Sequence, residues 1–125
     1  MIKQQVPNNF CKRVIKSDSA IRFVGIADKF GKIIAEEYRK GSVPLLSKEE
    51  MAMSVLQGAI RMGSRKTMIP KLGKLIYTVS YYEKVKRATM MLNNNNVLMV
   101  SFDPEANHDS ILINKILPLV KDNGL

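Results

Sequence analysis

One run of six residues, VLMVSF at 97–102, constrains the fold more than any other part of this chain. A strand with one face toward water alternates apolar and polar side chains, whereas this run is apolar on both faces. It is far shorter than the roughly 20 apolar residues that span a bilayer. The run therefore predicts a central strand of a sheet.

The rest of the sequence predicts further strands that can pair with this one, and helices that can pack on the sheet. Alternating apolar residues predict strands at 20–28, 32–39, 74–82 and 84–92, and helical spacing predicts helices at 9–16, at 48–63 or 48–66, and after Asp103. The order α-β-β-α-β-β-β-α predicts the α/β class in its α+β form, an antiparallel five-stranded sheet flanked by helices. At 125 residues we expect one domain, with 1–19 as its N-terminal helix and lead-in.

Glycine, proline and asparagine mark the expected boundaries. Pro7 and Asn8 precede the first helix as a tolerated proline and an N-cap, and Gly31 suits the first hairpin turn. The tract at 61–74 is expected to end the preceding helix and form a loop, with Gly63, Pro70 and Gly73 as breakers, and a turn is expected at 93–96. Asp103 is expected to cap the last helix with Pro104 at its first position, and Pro118 to kink or end that helix.

The helix at 48–63 has an unusual distribution of side chains. Ser47 and Glu50 have the spacing of a capping box at its start. At about 100° per residue, one polar stripe is expected, and apolar residues fill an arc of roughly 200°. The stripe consists of Ser54, Gln57, Arg61 and Arg65. A helix on one sheet needs a stripe little wider than 100°, so this helix has apolar surface to spare.

The charge balance is strongly positive, with 20 Lys and Arg, 11 Asp and Glu, and a formal net charge of +9. Between Glu50 and Glu83 there is no acidic residue, and basic residues gather there and on the next strand. The candidate basic patch consists of Arg61, Arg65, Lys66, Lys71, Lys74, Lys84, Lys86 and Arg87. Such a patch attracts acidic surfaces or phosphates, although a lysine-rich solvated surface has the same composition.

The sequence offers little for catalysis. Cys11 is the one cysteine, His108 the one histidine, and the carboxylates are scattered, so no metal-ligand spacing arises. Neither GxxxxGK[ST] nor GxGxxG occurs. We therefore expect no enzyme, no catalytic residues, no cofactor and no metal. The N-terminal segment lacks the apolar block of a secretory signal, and we expect a cytoplasmic protein without a membrane span.

The order of elements, with VGIADKFGKIIAEE as the first hairpin and FDPEANHDSILINKI as the last turn and helix, resembles the roadblock/dynein light chain family. The resemblance covers nearly the whole chain. Its one local motif, strand–Asp-x-x-Gly–strand at 23–35, also occurs in profilin-like, PAS and GAF domains. The Lys-, Ile- and Asn-rich composition suggests an archaeal member.

This resemblance implies sheet order 2-1-5-4-3 and homodimers or heterodimers that pair through the central helix and the edge strand after it. It also implies partners such as small GTPases or scaffold subunits. The spare apolar arc is what such pairing needs, so we expect a homodimer, unless another part of the chain covers that surface. The expected interface residues are Met51, Val55, Ala59, Met62, Leu75, Tyr77 and Val79.

The function expected from the sequence is a non-catalytic dimeric regulatory or scaffolding module that binds a protein partner such as a small GTPase. Two alternatives stay open. One is a PAS- or GAF-like sensor with a small molecule between sheet and helices, for which methionines are adaptable linings. The other is a basic regulator that binds nucleic acid, with Tyr77, Tyr81 and Tyr82 as stacking surfaces.

Overall fold

The computed structural model describes residues 2–125, with side chains from Gln5 onward. The helices are α1 (Ile2–Ser17), α2 (Lys48–Arg65), α3 (Ile69–Leu72), α4 (His108–Ile111) and α5 (Leu117–Asp122). The strands are β1 (Ile21–Ala27), β2 (Ile33–Tyr38), β3 (Thr78–Tyr81), β4 (Lys86–Met91) and β5 (Val97–Phe102). The strands form one antiparallel sheet in the order β2-β1-β5-β4-β3. The fold class is confirmed, and β5 is the central strand.

Helices cover both faces of this sheet. Successive side chains of β5 point to opposite faces, so Leu98 and Val100 pack on one side and Val97 and Met99 on the other. On the first face, α1 and the C-terminal helix (α4 through α5) bury Phe10, Val14, Ile111, Leu112, Ile116 and Val120. On the second face, α2 packs Val55 and Met62 against the sheet. Different helices therefore pack on the two apolar faces of β5.

Helix α1 begins earlier than expected. It includes Pro7 and Asn8, which were expected to precede it and cap it. Proline removes one backbone donor and its ring crowds the preceding turn, so the part of the helix before Pro7 forms at the loss of one i−4 hydrogen bond. The predicted inner face is confirmed, since Phe10, Cys11 and Val14 are buried.

Helix α2 has the predicted start, and its end at Arg65 lies within the predicted range of 63 to 66. The Ser47 hydroxyl accepts a hydrogen bond from the Glu50 amide at 3.1 Å, and the Glu50 carboxylate accepts one from the Ser47 amide at 2.9 Å, which confirms the capping box. The tract at 61–74, expected to form a loop after the helix, is largely helical: α2 passes through Gly63, and a 3-10 turn (Lys66–Met68) leads into α3. The helical tract ends at Gly73, which adopts a φ of 86°.

Strand β3 is shorter than the predicted strand at 74–82. Only Thr78–Tyr81 pairs with β4, in register from Thr78 opposite Thr89 to Tyr81 opposite Lys86. Alternation of apolar and polar residues indicates an extended segment, but it cannot indicate how much of that segment finds a hydrogen-bonded neighbour. The turn at 93–96 is confirmed, with Asn94 and Asn95 at positive φ.

The last helix starts four residues after Pro104, at His108, and Asn107 rather than Asp103 caps it by accepting from the Ser110 amide at 3.2 Å. The Asp103 carboxylate instead accepts hydrogen bonds from Arg39 at 2.7 and 3.1 Å and from Arg22 at 3.3 Å. The bonds from Arg39, above all, lower the pKa of Asp103. The local sequence could not show these partners, because both arginines lie more than 60 residues earlier.

Pro118 does not end the C-terminal helix, although the sequence predicted an end or a kink at this position. A π turn, Leu112–Ile116, lies directly before α5, whose first turn contains the proline. In a regular α-helix, a proline lacks the N–H that would bond to the carbonyl of residue i−4, and its ring clashes with that carbonyl. A π turn shifts the hydrogen-bond pattern from i−4 to i−5 and so relieves both problems. The helix therefore continues to Asp122.

Candidate partner-binding surface

Helix α2 turns only part of its apolar arc toward the sheet. Val55, Ala59 and Met62 are buried, and Val55 and Met62 belong to a cluster with Phe23, Ala27, Val97 and Met99. Gly58 is also buried, and its ideal Cβ position would stand 4.0 Å from the Met99 sulfur. The inner face of α2 is thus occupied by the chain's own core.

The outer side of α2 exposes a second group of apolar residues. Met53, Leu56 and Ile60 are 56, 40 and 60% exposed, and we call them the apolar strip. Phe30, in the β1–β2 turn, is 75% exposed and stands next to Gly31, which approaches the Leu56 backbone closely. No other element of the described chain covers these residues, and exposed apolar side chains grouped in this way are typical of interaction surfaces.

The structure places the seven expected interface residues in several environments. Val55, Ala59 and Met62 are buried inside the chain, and Met51 and Leu75 are partly buried at the edge of the same cluster. Tyr77 and Val79 pack against the cluster on the opposite face of the sheet. These side chains do not form one surface, because a helical wheel cannot tell which part of an arc meets its own sheet.

Strand β3 lies at one edge of the sheet and is hydrogen-bonded on one side, to β4. The flank of α2 that faces this edge is polar. Ser54, Arg61 and Arg65 line a small groove of about 100 Å³ whose other wall includes Thr78, Ser80 and Thr89 of β3 and β4. The polar stripe of α2 therefore faces the β3 edge, and the apolar strip lies farther around the helix.

Arg87 completes this arginine groove, which it shares with Arg61 and Arg65. Burial, above all, lowers the pKa of the Arg87 guanidinium; Tyr82 acts in the opposite direction, and the positive charge of Arg61 lowers the pKa. No hydrogen bond or salt bridge joins Arg87 to any side chain from Gln5 onward. Three arginines thus meet without an acidic partner.

The other residues of the expected basic patch are dispersed. Lys86 is buried on the opposite face of the sheet, where its ammonium donates to the Ala106 carbonyl at 2.7 Å and stands 4.7 Å from the centre of the Tyr81 ring. Neighbouring strand residues point to opposite faces, so Lys86 cannot act with Arg87. Lys66 donates to Asn95, and Lys71, Lys74 and Lys84 are exposed.

The three candidate stacking tyrosines do not share a groove. Tyr77 packs on the first face of the sheet, where its hydroxyl donates to Asp109 and its ring meets His108 edge-on at 6.3 Å. Tyr81 covers Lys86, also on that face, whereas Tyr82 lines the arginine groove on the second face. Of the three tyrosines, therefore, only Tyr82 lies beside residues of the candidate basic patch that are not buried.

A cavity that the sequence analysis missed lies on the second face, beyond the first turn of α2. It has a volume of about 530 Å³, with the loop at 42–46 and the β3–β4 turn at 82–85 as its walls and Phe23, Arg87 and Ser101 in its floor. The signal in the sequence is Val43-Pro44-Leu45-Leu46, an apolar run in a segment without regular secondary structure. Surface loops rarely contain four apolar residues in succession.

The potential nucleophile and metal ligands are placed as follows. Burial, followed by the Glu37 and Glu36 carboxylates, raises the pKa of Cys11 to about 12, so its thiol is protonated at neutral pH and is a poor nucleophile. In the part of the chain that the structure describes, no three His, Cys, Asp or Glu residues converge as metal ligands. No helix among residues 2–125 is both long and apolar enough to cross a membrane.

Comparison with known proteins identifies the fold. Neither the protein-family models nor the curated protein sequences give a match. Among solved structures, the Roadblock/LC7 domain from Streptomyces avermitilis superposes with a TM-score of 0.71 at 9% identity, over 92% of each chain. The gliding protein MglB from Thermus thermophilus gives 0.69 at 14% identity, over 98% of this chain and 84% of that one. MglB from Myxococcus xanthus gives 0.69 at 15% identity, over 99 and 86%. The chain has the fold of these roadblock domains.

Proposed function

We propose that this chain is a non-catalytic regulatory or scaffolding module that forms a homodimer and binds a protein partner, with a small GTPase as the first candidate. The observation that carries the proposal is the apolar strip on the outer side of α2. Met53, Leu56 and Ile60 are exposed on a helix whose inner face already serves the core. The roadblock fold supports the same interpretation, because the resemblance implies pairing through this helix.

The proposed dimer surface is centred on the strip rather than on the edge of β3, to which the resemblance also points. The core residues of the originally expected set, Val55, Ala59 and Met62, would support this surface from below and would not touch the partner copy. Between strip and edge lies the arginine flank of α2, and like charges brought together across an interface oppose association. The dimer should therefore be centred on the strip and keep Arg61 and Arg65 apart or screened.

The mass of the purified chain tests this proposal directly. At micromolar concentration, light scattering should give twice the 14.1 kDa of one chain. Met53→Glu together with Ile60→Glu should yield monomers, because two carboxylates would have to be buried without partners. Gln5→Glu in α1 is the matched control, since it adds a carboxylate at an exposed position on the other face of the sheet. A monomeric wild type would refute the dimer.

The partner is tested separately. The net charge of +9 favours a partner with an acidic surface, and long-range attraction of this kind raises association rates. Small GTPases of the same genome, loaded with GDP or with a non-hydrolysable GTP analogue, would be titrated against the wild type and the Met53→Glu/Ile60→Glu variant. We expect tighter binding in one nucleotide state. Binding in neither state would contradict the GTPase part of the proposal and leave the dimer standing.

A further inference from the structure

The apolar cavity beside α2 has the size of a ligand site. Its volume of about 530 Å³ lies inside the range of roughly 300–1,000 Å³ that is typical of pockets for small organic molecules. Three separate parts of the chain enclose it: the loop at 42–46, the start of α2 at Met51, and the turn at 82–85. Arg22, in the floor, donates a hydrogen bond to the Val43 carbonyl at 3.2 Å and so fixes the loop in place.

Most of the lining is apolar. The apolar and aromatic lining residues are Phe23, Tyr38, Val43, Pro44, Leu45, Leu46, Met51, Tyr82 and Val85. The Phe23 and Tyr38 rings meet in the floor with their centres 4.9 Å apart. Val43 and Leu45 remain largely exposed although they could have been polar at no cost to the core. A ligand with an apolar body would remove this surface from water.

The charged residues of the lining are Arg22, Arg87 and, on the exposed turn, Glu83 and Lys84. Arg87 lines both the cavity and the arginine groove, as do Phe23, Tyr82 and Ser101, so the two spaces adjoin each other. The other arginine of the floor, Arg22, is already paired with Asp103 at 3.3 Å. Arg87 has no such partner among the described side chains, and a partly buried charge without a counter-ion is stabilised by an anion.

We propose that this cavity binds a small organic anion with an apolar body. The body lies between the loop at 42–46 and the Phe23 ring, and the carboxylate, sulfonate or phosphate group accepts hydrogen bonds from Arg87 at the mouth of the arginine groove. A guanidinium suits such a group because it offers paired N–H donors in one plane. This site does not depend on the proposed dimer, since the cavity uses none of Met53, Leu56 and Ile60.

Two fluorescent probes of similar shape test the proposal. One is 1-anilinonaphthalene-8-sulfonate, an aromatic anion, and the other is N-phenyl-1-naphthylamine, which lacks the sulfonate. The wild type should bind both and prefer the anion. Arg87→Gln should weaken binding of the anion by about tenfold or more, as the loss of a charge-assisted hydrogen bond predicts, and leave the neutral probe unchanged. Arg13→Gln, an exposed arginine on α1, is the matched control and should change neither.

Two further variants make the outcome decisive. Leu45→Asp places a carboxylate in the apolar wall at an exposed loop position and should weaken binding of both probes, even if Arg87→Gln fails to fold. Met53→Glu/Ile60→Glu removes the apolar strip and should leave the affinities of both probes unchanged. Equal binding of the anion by wild type and a folded Arg87→Gln variant would overturn the proposal. So would loss of probe binding in the strip variant alone.

Discussion

The contact between the β1–β2 turn and α2 determines where the apolar strip stands, and Gly31 is the residue through which it can be tested. Gly31 has a φ of 85°, and a Cβ there would lie 2.9 Å from the Leu56 Cα and 3.2 Å from its Cδ1. Real Cβ atoms do not approach backbone so closely, so Gly31→Ala must push the turn and α2 apart.

Gly41 provides the matched control. Its φ is 78°, and an added Cβ would meet nothing within 4 Å. Gly41→Ala should therefore cost only the strain of a left-handed alanine, about 1–2 kcal/mol. Gly31→Ala carries the same strain plus overpacking against α2, which typically costs about 1–3 kcal/mol, for a total of about 2–5 kcal/mol.

Urea unfolding of both variants measures the difference. The free energies of unfolding should be compared in the Met53→Glu/Ile60→Glu background, so that dissociation of a dimer does not enter the result. We expect Gly31→Ala to be less stable than Gly41→Ala by about 1–3 kcal/mol, with similar slopes against urea. Equal losses would refute the contact between the turn and α2, and with it the position assigned to the strip.

Two other predictions concern titratable groups. Because hydrogen bonds from Arg39 and then Arg22 lower the pKa of Asp103, its ionised form adds stability that is present above about pH 4 and lost as the pH falls through the folded-state pKa. Asp103→Asn should lower the free energy of unfolding at pH 7 by about 1–2 kcal/mol and should make its decline in acid less steep. Urea unfolding of both proteins from pH 7 to 3 measures this, and the same pH dependence in the variant and the wild type would contradict it. Cys11, buried and with its pKa raised to about 12, should react with a thiol reagent at pH 8 far more slowly than a free thiol, and at the free rate beyond the urea midpoint; fast reaction in the folded protein would contradict the packing of α1.

Patterns that are local to one element predicted the fold well. The two-faced run at 97–102 became the central strand, and Ser47 with Glu50 marked the start of α2 to the residue. Boundaries that depend on distant residues were wrong. The extent of β3 depends on β4, and the role of Asp103 depends on Arg22 and Arg39, so neighbouring residues carry no information about either.

The candidate surfaces were predictable only in part. The helical wheel of α2 showed that apolar residues were in excess, but the sheet beneath decided that Val55 and Met62 point inward while Met53 and Ile60 remain exposed. The cavity was not predictable, because it joins segments some 40 residues apart, at 42–46 and 82–85. Likewise, adjacent basic residues such as Lys86 and Arg87 separate onto opposite faces once the strand forms.

The π turn in the C-terminal helix does more than accommodate a proline. Leu112, Ile116 and Val120, all buried, are spaced by four residues, and in an α-helix each step of four advances about 40° around the axis. Over two steps the apolar line would drift by about 80° and carry Val120 away from the sheet. A wider turn between Leu112 and Ile116 holds more residues per revolution, so it compensates part of this drift. The inserted turn thus sets the rotational phase of α5 and keeps Val120 on the buried face on which Leu112 and Ile116 lie.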